Sequence, residues 1–187
     1  MGKIFYIADL HFGHANVIRF DNRPYKNVEE MNRALINNWN SVVTNDDTVY
    51  ILGDFCWSKE PVWINLLDQL KGKKVLIKGN HDLKKMSYSL KNKFEDIKDY
   101  KEINDNGTKV ILSHYPMPFW NGQFRDSVHL YGHIHNTHQW NMIRSWKKEL
   151  QQLQDLPGRM YNVGCMMSYM NYYPRTLDEI LKGAKND

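Results

Sequence analysis

Five short segments carry side chains able to bind a cation or move a proton: Asp9-Leu10-His11, Gly53-Asp54, Gly79-Asn80-His81-Asp82, His114, and Gly132-His133-Ile134-His135. Singly, such fragments are common. Together they offer carboxylate, carboxamide and imidazole groups, provided that the fold brings them to one place. A donor set without thiolate suits a borderline-hard divalent ion such as Mn, Fe, Zn, Co or Ni, rather than a Cys-bound structural zinc. Cys56 and Cys165 have no metal-type spacing and read as reduced, buried thiols. His129 lies inside an apolar run and His138 falls past the cluster, so both read as ordinary core or surface residues.

The elements that must position these groups are legible as apolar runs of strand length. They are Ile4 to Ala8, Thr48 to Leu52, Val75 to Lys78, Val110 to Ser113, Val128 to Tyr131 and Met160 to Val163. Each polar segment named above follows one of the first five runs. Between the first two runs, Val28, Met31, Leu35, Trp39 and Val42 recur at helical spacing, with Asn27 and Glu30 placed for a capping box. Pro61 through Leu70 reads as a second helix closed by Gly72, and Thr176 with Glu179 caps a short one through Leu181. Over Trp140 to Leu156 the spacing of Ile143, Trp146, Leu150 and Leu153 suggests a further helix, inserted before the last strand. Alternating strands and helices predict a layered α/β architecture, in which strand ends meet at one edge where ligand sites form.

Composition bounds the function. The 187 residues are the size of one domain, read as 1–187 without an internal boundary, and 42% are hydrophobic. No apolar run approaches the length of a membrane span. The N-terminal stretch reaches Asp9 before a secretory h-region could be completed, so a cytoplasmic protein is expected. Lysines and arginines exceed acids by 25 to 21, a net +4. The lysine-dense stretch Lys71 to Lys101 is interrupted by Glu95, Asp96 and Asp99, as on a solvated surface. A charge this mild does not mark a nucleic-acid protein.

The ordered set from Asp9 to His135, with Asn162-Val163-Gly164 and Pro174 after it, resembles the calcineurin-like metallophosphoesterase superfamily, in particular its small stand-alone bacterial and phage members. That resemblance implies a four-layer αββα sandwich: two mixed sheets face to face, flanked by helices. It implies a dinuclear metal centre, manganese foremost, with Asp9, His11 and His135 on the first ion, Asn80, His114 and His133 on the second, and Asp54 bridging. Two ions ~3.5–4 Å apart clamp an in-line displacement at phosphorus and make water between them an attacking hydroxide near neutral pH. His81 is left over from the ligand set, and the resemblance makes it the general acid for the leaving oxygen, with Asp82 in support.

The expected activity is thus phosphoester hydrolysis, of a diester or a monoester, on a small phosphoester or nucleotide-type substrate. The sequence after Asp54, Phe55-Cys56-Trp57-Ser58, lacks the aspartate and arginine of the related protein phosphatases, which disfavours a phosphoprotein substrate. His14 and Arg23 are expected beside the site as substrate-binding residues, Arg23 as a two-pronged phosphate clamp. Phe12, Trp57, Phe119 and Trp120 offer candidate stacking surfaces for a nucleoside. Two other classes stand against this reading: an inactive scaffold of the same fold, disfavoured by retention of every ligand, and a nucleic-acid-processing nuclease, which the charge pattern does not support.

Overall fold

Strands form where β-branched and aliphatic residues run together, and helices where apolar residues recur every three or four positions. In the computed structural model, which describes residues 2–154 and 158–184, the chain order is β1 (Ile4–Ile7), α1 (Ala15–Phe20), α2 (Val28–Val42), β2 (Thr48–Ile51), α3 (Glu60–Gln69), β3 (Lys73–Ile77), α4 (Tyr88–Lys91), β4 (Asp96–Lys98), β5 (Tyr100–Asp105), β6 (Thr108–Ser113), β7 (Val128–Tyr131), α5 (His138–Gln154), β8 (Met160–Asn162) and α6 (Leu177–Gly183). The strands make two four-stranded sheets, ordered β1-β2-β3-β4 and β5-β6-β7-β8. This is the layered α/β architecture that the sequence predicts and the helix-flanked two-sheet sandwich that the family resemblance implies.

The first sheet is parallel throughout its four strands, and only the isolated bridge between Tyr6 and Arg175 adds antiparallel pairing. The second is mixed, with β5 antiparallel to β6 and the rest parallel. Ile7, Ile51 and Leu76 lie abreast, as do Leu112, Leu130 and Tyr161. The parallel strands therefore end level, and whatever follows them is delivered to one edge. At that edge the sheets are joined: the Ala8 amide donates to the Val163 carbonyl at 2.8 Å and the Cys165 amide to the Ala8 carbonyl at 2.9 Å. Deeper in, the Tyr6 hydroxyl donates to Asp105 Oδ2 across the sandwich at 2.8 Å.

One continuous core carries residues of both sheets, among them Ile7, Ile51, Val110, Leu112 and Leu130. α2 buries Met31, Leu35 and Trp39, the face read from its spacing, and Asn27 caps it by accepting from the Glu30 amide. α3 buries Trp63, Leu66 and Leu67, and α6 begins at a complete Thr176–Glu179 capping box. Dispersion and removal of apolar surface from water hold these helices on the sheets. α5 settles the ambiguous stretch as a helix: Trp140, Ile143 and Trp146 pack on a smaller cluster of Ile111, Trp120, Tyr131, Ile134 and Met160. The last two residues of the stretch expected there, Asp155 and Leu156, lie outside the described residues.

β4 and β5 were not anticipated, because Asp96–Lys98 and Tyr100–Asp105 are too charged to show an apolar signal. Their charges are paired on the surface: Lys78 with Asp99, Lys101 with Asp96, and Lys109 with Glu102. Both cysteines are buried and free. No helix among the described residues is long and apolar enough to cross a membrane.

Candidate metal centre

All seven candidate ligands follow parallel strands directly: Asp9 and His11 after β1, Asp54 after β2, Asn80 after β3, His114 after β6, and His133 and His135 after β7. Five of them, Asp9, His11, Asp54, His133 and His135, have left-handed backbone with φ between 49° and 71°. A non-glycine residue rarely adopts that conformation, and clusters of such strain mark functional sites. The turns also need room. A Cβ on Gly53, whose φ is +85°, would stand 2.3 Å from His114 Nδ1, and one on Gly79 would stand 2.3 Å from Asp54 Oδ1. Both glycines are therefore required for the side chains to converge.

Two groups result, Asp9 with His11 and His135, and Asp54 with His114 and His133; within each, one ligand atom per residue lies within 4.8 Å of the others. In the first, His11 Nε2 is 3.3 Å from His135 Nε2, which is 3.7 Å from Asp9 Oδ1. In the second, His114 Nε2 is 3.0 Å from Asn80 Oδ1, which adds a carboxamide to the group. The groups share an edge: Asp54 Oδ2 lies 3.7 Å from His11 Nε2 and 3.6 Å from His114 Nε2.

Tautomers show which way the lone pairs point. His114 Nδ1 sits 2.8 Å from the Leu52 carbonyl, which can only accept, so Nδ1 carries the hydrogen and Nε2 turns a lone pair on Asn80 and Asp54. His135 Nδ1 donates to Asp21 Oδ1 at 2.7 Å, leaving Nε2 toward Asp9 and His11.

The electrostatics agree. Burial, reinforced by Asp54 and partly offset by His135, pushes the Asp9 carboxyl up to about 7. Burial also raises Asp54. Burial and the neighbouring His135 and Arg23 push His11 down to about 2, and burial lowers His114 and His133. Only His135 is raised: burial works against its charged form, but the hydrogen bond to Asp21 and the charge of Asp9 prevail. Carboxyls that resist ionisation beside imidazoles of which all but His135 resist protonation are a set that a divalent cation satisfies, in competition with protons.

His81 stands at the rim. Its backbone amide donates to Asp54 Oδ1 at 2.9 Å, and its exposed ring lies 5.8 Å from His11 and 4.6 Å from Trp57. His14 is there too, its ring 5.7 Å from His11 and 4.5 Å from Trp57. Asp82 does not support His81. It is buried, and its two oxygens accept from the amides of Asp54, Phe55 and Gly79, which fixes the turn that presents Asp54. His129 is a satisfied core histidine, accepting from the Met117 amide and lying 3.2 Å from the Ile111 carbonyl, while His138 is exposed.

Arg23 corrects the sequence reading more sharply. Only 4% exposed, it gives Nε and Nη2 to Asp21 Oδ2 and spends Nη1 and Nη2 on the carbonyls of Leu10 and Asp9. It is a brace beneath the first group, with no prong left for phosphate. Asp21, which sequence reasoning missed, is the other half: its Oδ1 orients His135 while its Oδ2 holds Arg23. Burial opposes its ionisation, but His135 and Arg23 together hold its carboxyl below the usual range. A carboxylate behind a ligand histidine is the usual outer support of a metal site. The only trace in the sequence was an acid two residues before an arginine. Arg23→Ala is expected to lower the unfolding free energy by about 3–5 kcal/mol, because buried Asp21 loses its guanidinium and keeps only His135, while the Leu10 and Asp9 carbonyls lose their donor. Denaturant titration checks this; unchanged stability with a raised KM would restore the clamp.

The residues anticipated as a stacking wall divide. Phe12 and Trp120 are buried in the cores, Phe119 is exposed but packs edge-on against Trp146 of α5, and Trp57 is at the site.

A family model described as calcineurin-like phosphoesterase matches residues 2–155. The chain is 37% identical over 184 residues to an uncharacterized protein of Methanocaldococcus jannaschii, covering 97% of this chain and 91% of that one. It is 34% identical over 134 residues to the Gene 66 protein of Mycobacterium phage L5, covering 62% and 64%. Among solved structures it is similar to a protein of unknown function from Aquifex aeolicus, with a TM-score of 0.72 and 26% identity over 97% of this chain and 99% of that one.

Proposed function

Because the chain belongs to the calcineurin-like phosphoesterase family, we propose that it is a phosphoester hydrolase working with two divalent cations, manganese foremost. Asp9, His11 and His135 would hold one, Asn80, His114 and His133 the other, and Asp54 would bridge. The observation that carries this reading is the place of Asp54 Oδ2, nearly equidistant from His11 Nε2 and His114 Nε2 at 3.7 and 3.6 Å. A carboxylate oxygen buried between two groups of ligand atoms, and within 4 Å of a histidine of each, is placed to be shared by two cations.

When bound, such ions act as Lewis acids that neutralise phosphoryl charge and make water nucleophilic near neutral pH. The protein supplies the rest. Asp21 and Arg23 fix the first group from below, Asp82 fixes the Asp54 turn, and His81 delivers a proton to the leaving oxygen. His81 suits that work because its ring is exposed at the rim and the Asp54–His81 backbone bond ties it to the bridge. His14 contacts the substrate beside it.

Chelation should abolish hydrolysis, and Mn, Co, Ni or Zn should restore it, with up to two ions per chain by elemental analysis. The assay is a panel of aryl and alkyl phosphodiesters, phosphomonoesters, cyclic nucleotides and short oligonucleotides. Full activity in demonstrably metal-free protein would sink the reading.

A further inference from the structure

Two aromatic rings flank the centre, one beside each group of ligands, and both stay half in water. Trp57, 47% exposed, packs its ring 4.5 Å from His14 and 4.6 Å from His81, on the side of the Asp9 group. Tyr115, 49% exposed, lies 4.5 Å from His133 and 5.1 Å from His114, in the other group. Neither is on a loose loop. The Trp57 amide donates to the Phe12 carbonyl at 2.8 Å, beside the bridge that pairs Phe12 with Cys56, and the Tyr115 carbonyl accepts from the Ser113 hydroxyl at 2.5 Å. The rings thus stand against different histidines, Trp57 against His14 and His81 and Tyr115 against His114 and His133, while Asp54 Oδ2 faces His11 and His114.

A phosphorus seated over Asp54 would have one ring on each side. A monoester has a single organic substituent and would leave one ring idle. A diester uses both. A nucleobase on each substituent would stack on these two faces.

We infer that the substrate is a phosphodiester with a base on either side of the scissile phosphorus, a short single-stranded oligonucleotide. The leaving nucleoside stacks on Trp57, because that ring touches His81, and the retained nucleotide stacks on Tyr115. This rests on the phosphoester hydrolase reading.

The test uses the Mn-loaded protein and four dinucleotides with bases on both sugars, on either one, or on neither, the missing bases replaced by tetrahydrofuran abasic units. All four keep the same phosphodiester and nearly the same leaving oxygen. Each base should raise kcat/KM by ~5–150-fold, the range for one base–aromatic stack. Tyr115→Leu should erase the gain from the retained base and Trp57→Leu that from the departing base, with Tyr115→Phe and Trp57→Phe restoring most of it. The rate of Trp57→Leu on the fully abasic dinucleotide reports separately any disturbance of His81. If the abasic dinucleotide is cleaved as fast as the full one, or if bis-p-nitrophenyl phosphate is hydrolysed and no dinucleotide is, the inference falls and the hydrolase reading stands. If protein with two ions bound cleaves none of these diesters nor any phosphomonoester, both fall.

Discussion

Asp54→Ala is expected to empty both cation sites and slow phosphoester hydrolysis by ~10³–10⁵-fold, the equivalent of losing several kcal/mol of charge stabilisation in the transition state. One oxygen of Asp54 faces both ligand groups, and the other accepts the amide of His81, so its removal also loosens the turn that carries His81, the proposed proton donor. His135→Ala, by contrast, should weaken chiefly the ion held with Asp9 and His11. Groups that act as one unit give losses far from additive, so the double variant should be little worse than Asp54→Ala alone. Metal content per chain, measured alongside kcat/KM, separates the cases. Wild-type metal content and activity in Asp54→Ala would end the ligand assignment.

The second large effect concerns His81. With its ring at the rim and its neighbour Asn80 turned to His114, it is placed to serve the substrate. His81→Asn should leave both ions bound and slow hydrolysis by ~10²–10⁴-fold, the usual range for a general acid. The loss should be greatest for alkyl and ribose leaving groups and shrink for nitrophenolate, which departs without a proton. Equal slowing across leaving groups would make His81 a binding residue, and loss of an ion would make it a ligand.

What the sequence could and could not disclose has a physical pattern. Of the parallel strands, all but the charged β4 were legible, because they are largely buried and read as apolar runs. The polar residues directly after them could be read as one edge, since parallel strands in register end level. Asn27, Thr176 and their glutamates showed the helix starts, because capping depends on residues three apart. β4 and β5 hid behind charges that pair on the surface, and α1 is too short, at six residues, to show a periodicity. Arg23 and Asp82 were misread for a common reason. A charged side chain near a site looks like a working part in one dimension, and only burial reveals that its hydrogen bonds are already committed within the protein, to Asp21 and backbone carbonyls for Arg23 and to backbone amides for Asp82. Asp21 was missed because the contact that gives it its place, with His135, spans 114 positions, which no local spacing can show.

The left-handed ligands bear on how such a protein can change over generations. Each non-glycine residue held at positive φ costs of order 1–3 kcal/mol, and five of the seven candidate ligands are held so. Net folding stability is itself only about 5–15 kcal/mol. Glycine at Asp54 or His133 would relax the backbone, so selection for stability alone would favour glycines there and dissolve the centre. Aspartate and histidine at these turns therefore carry a backbone cost that glycine would not, and only the work of their side chains offsets it.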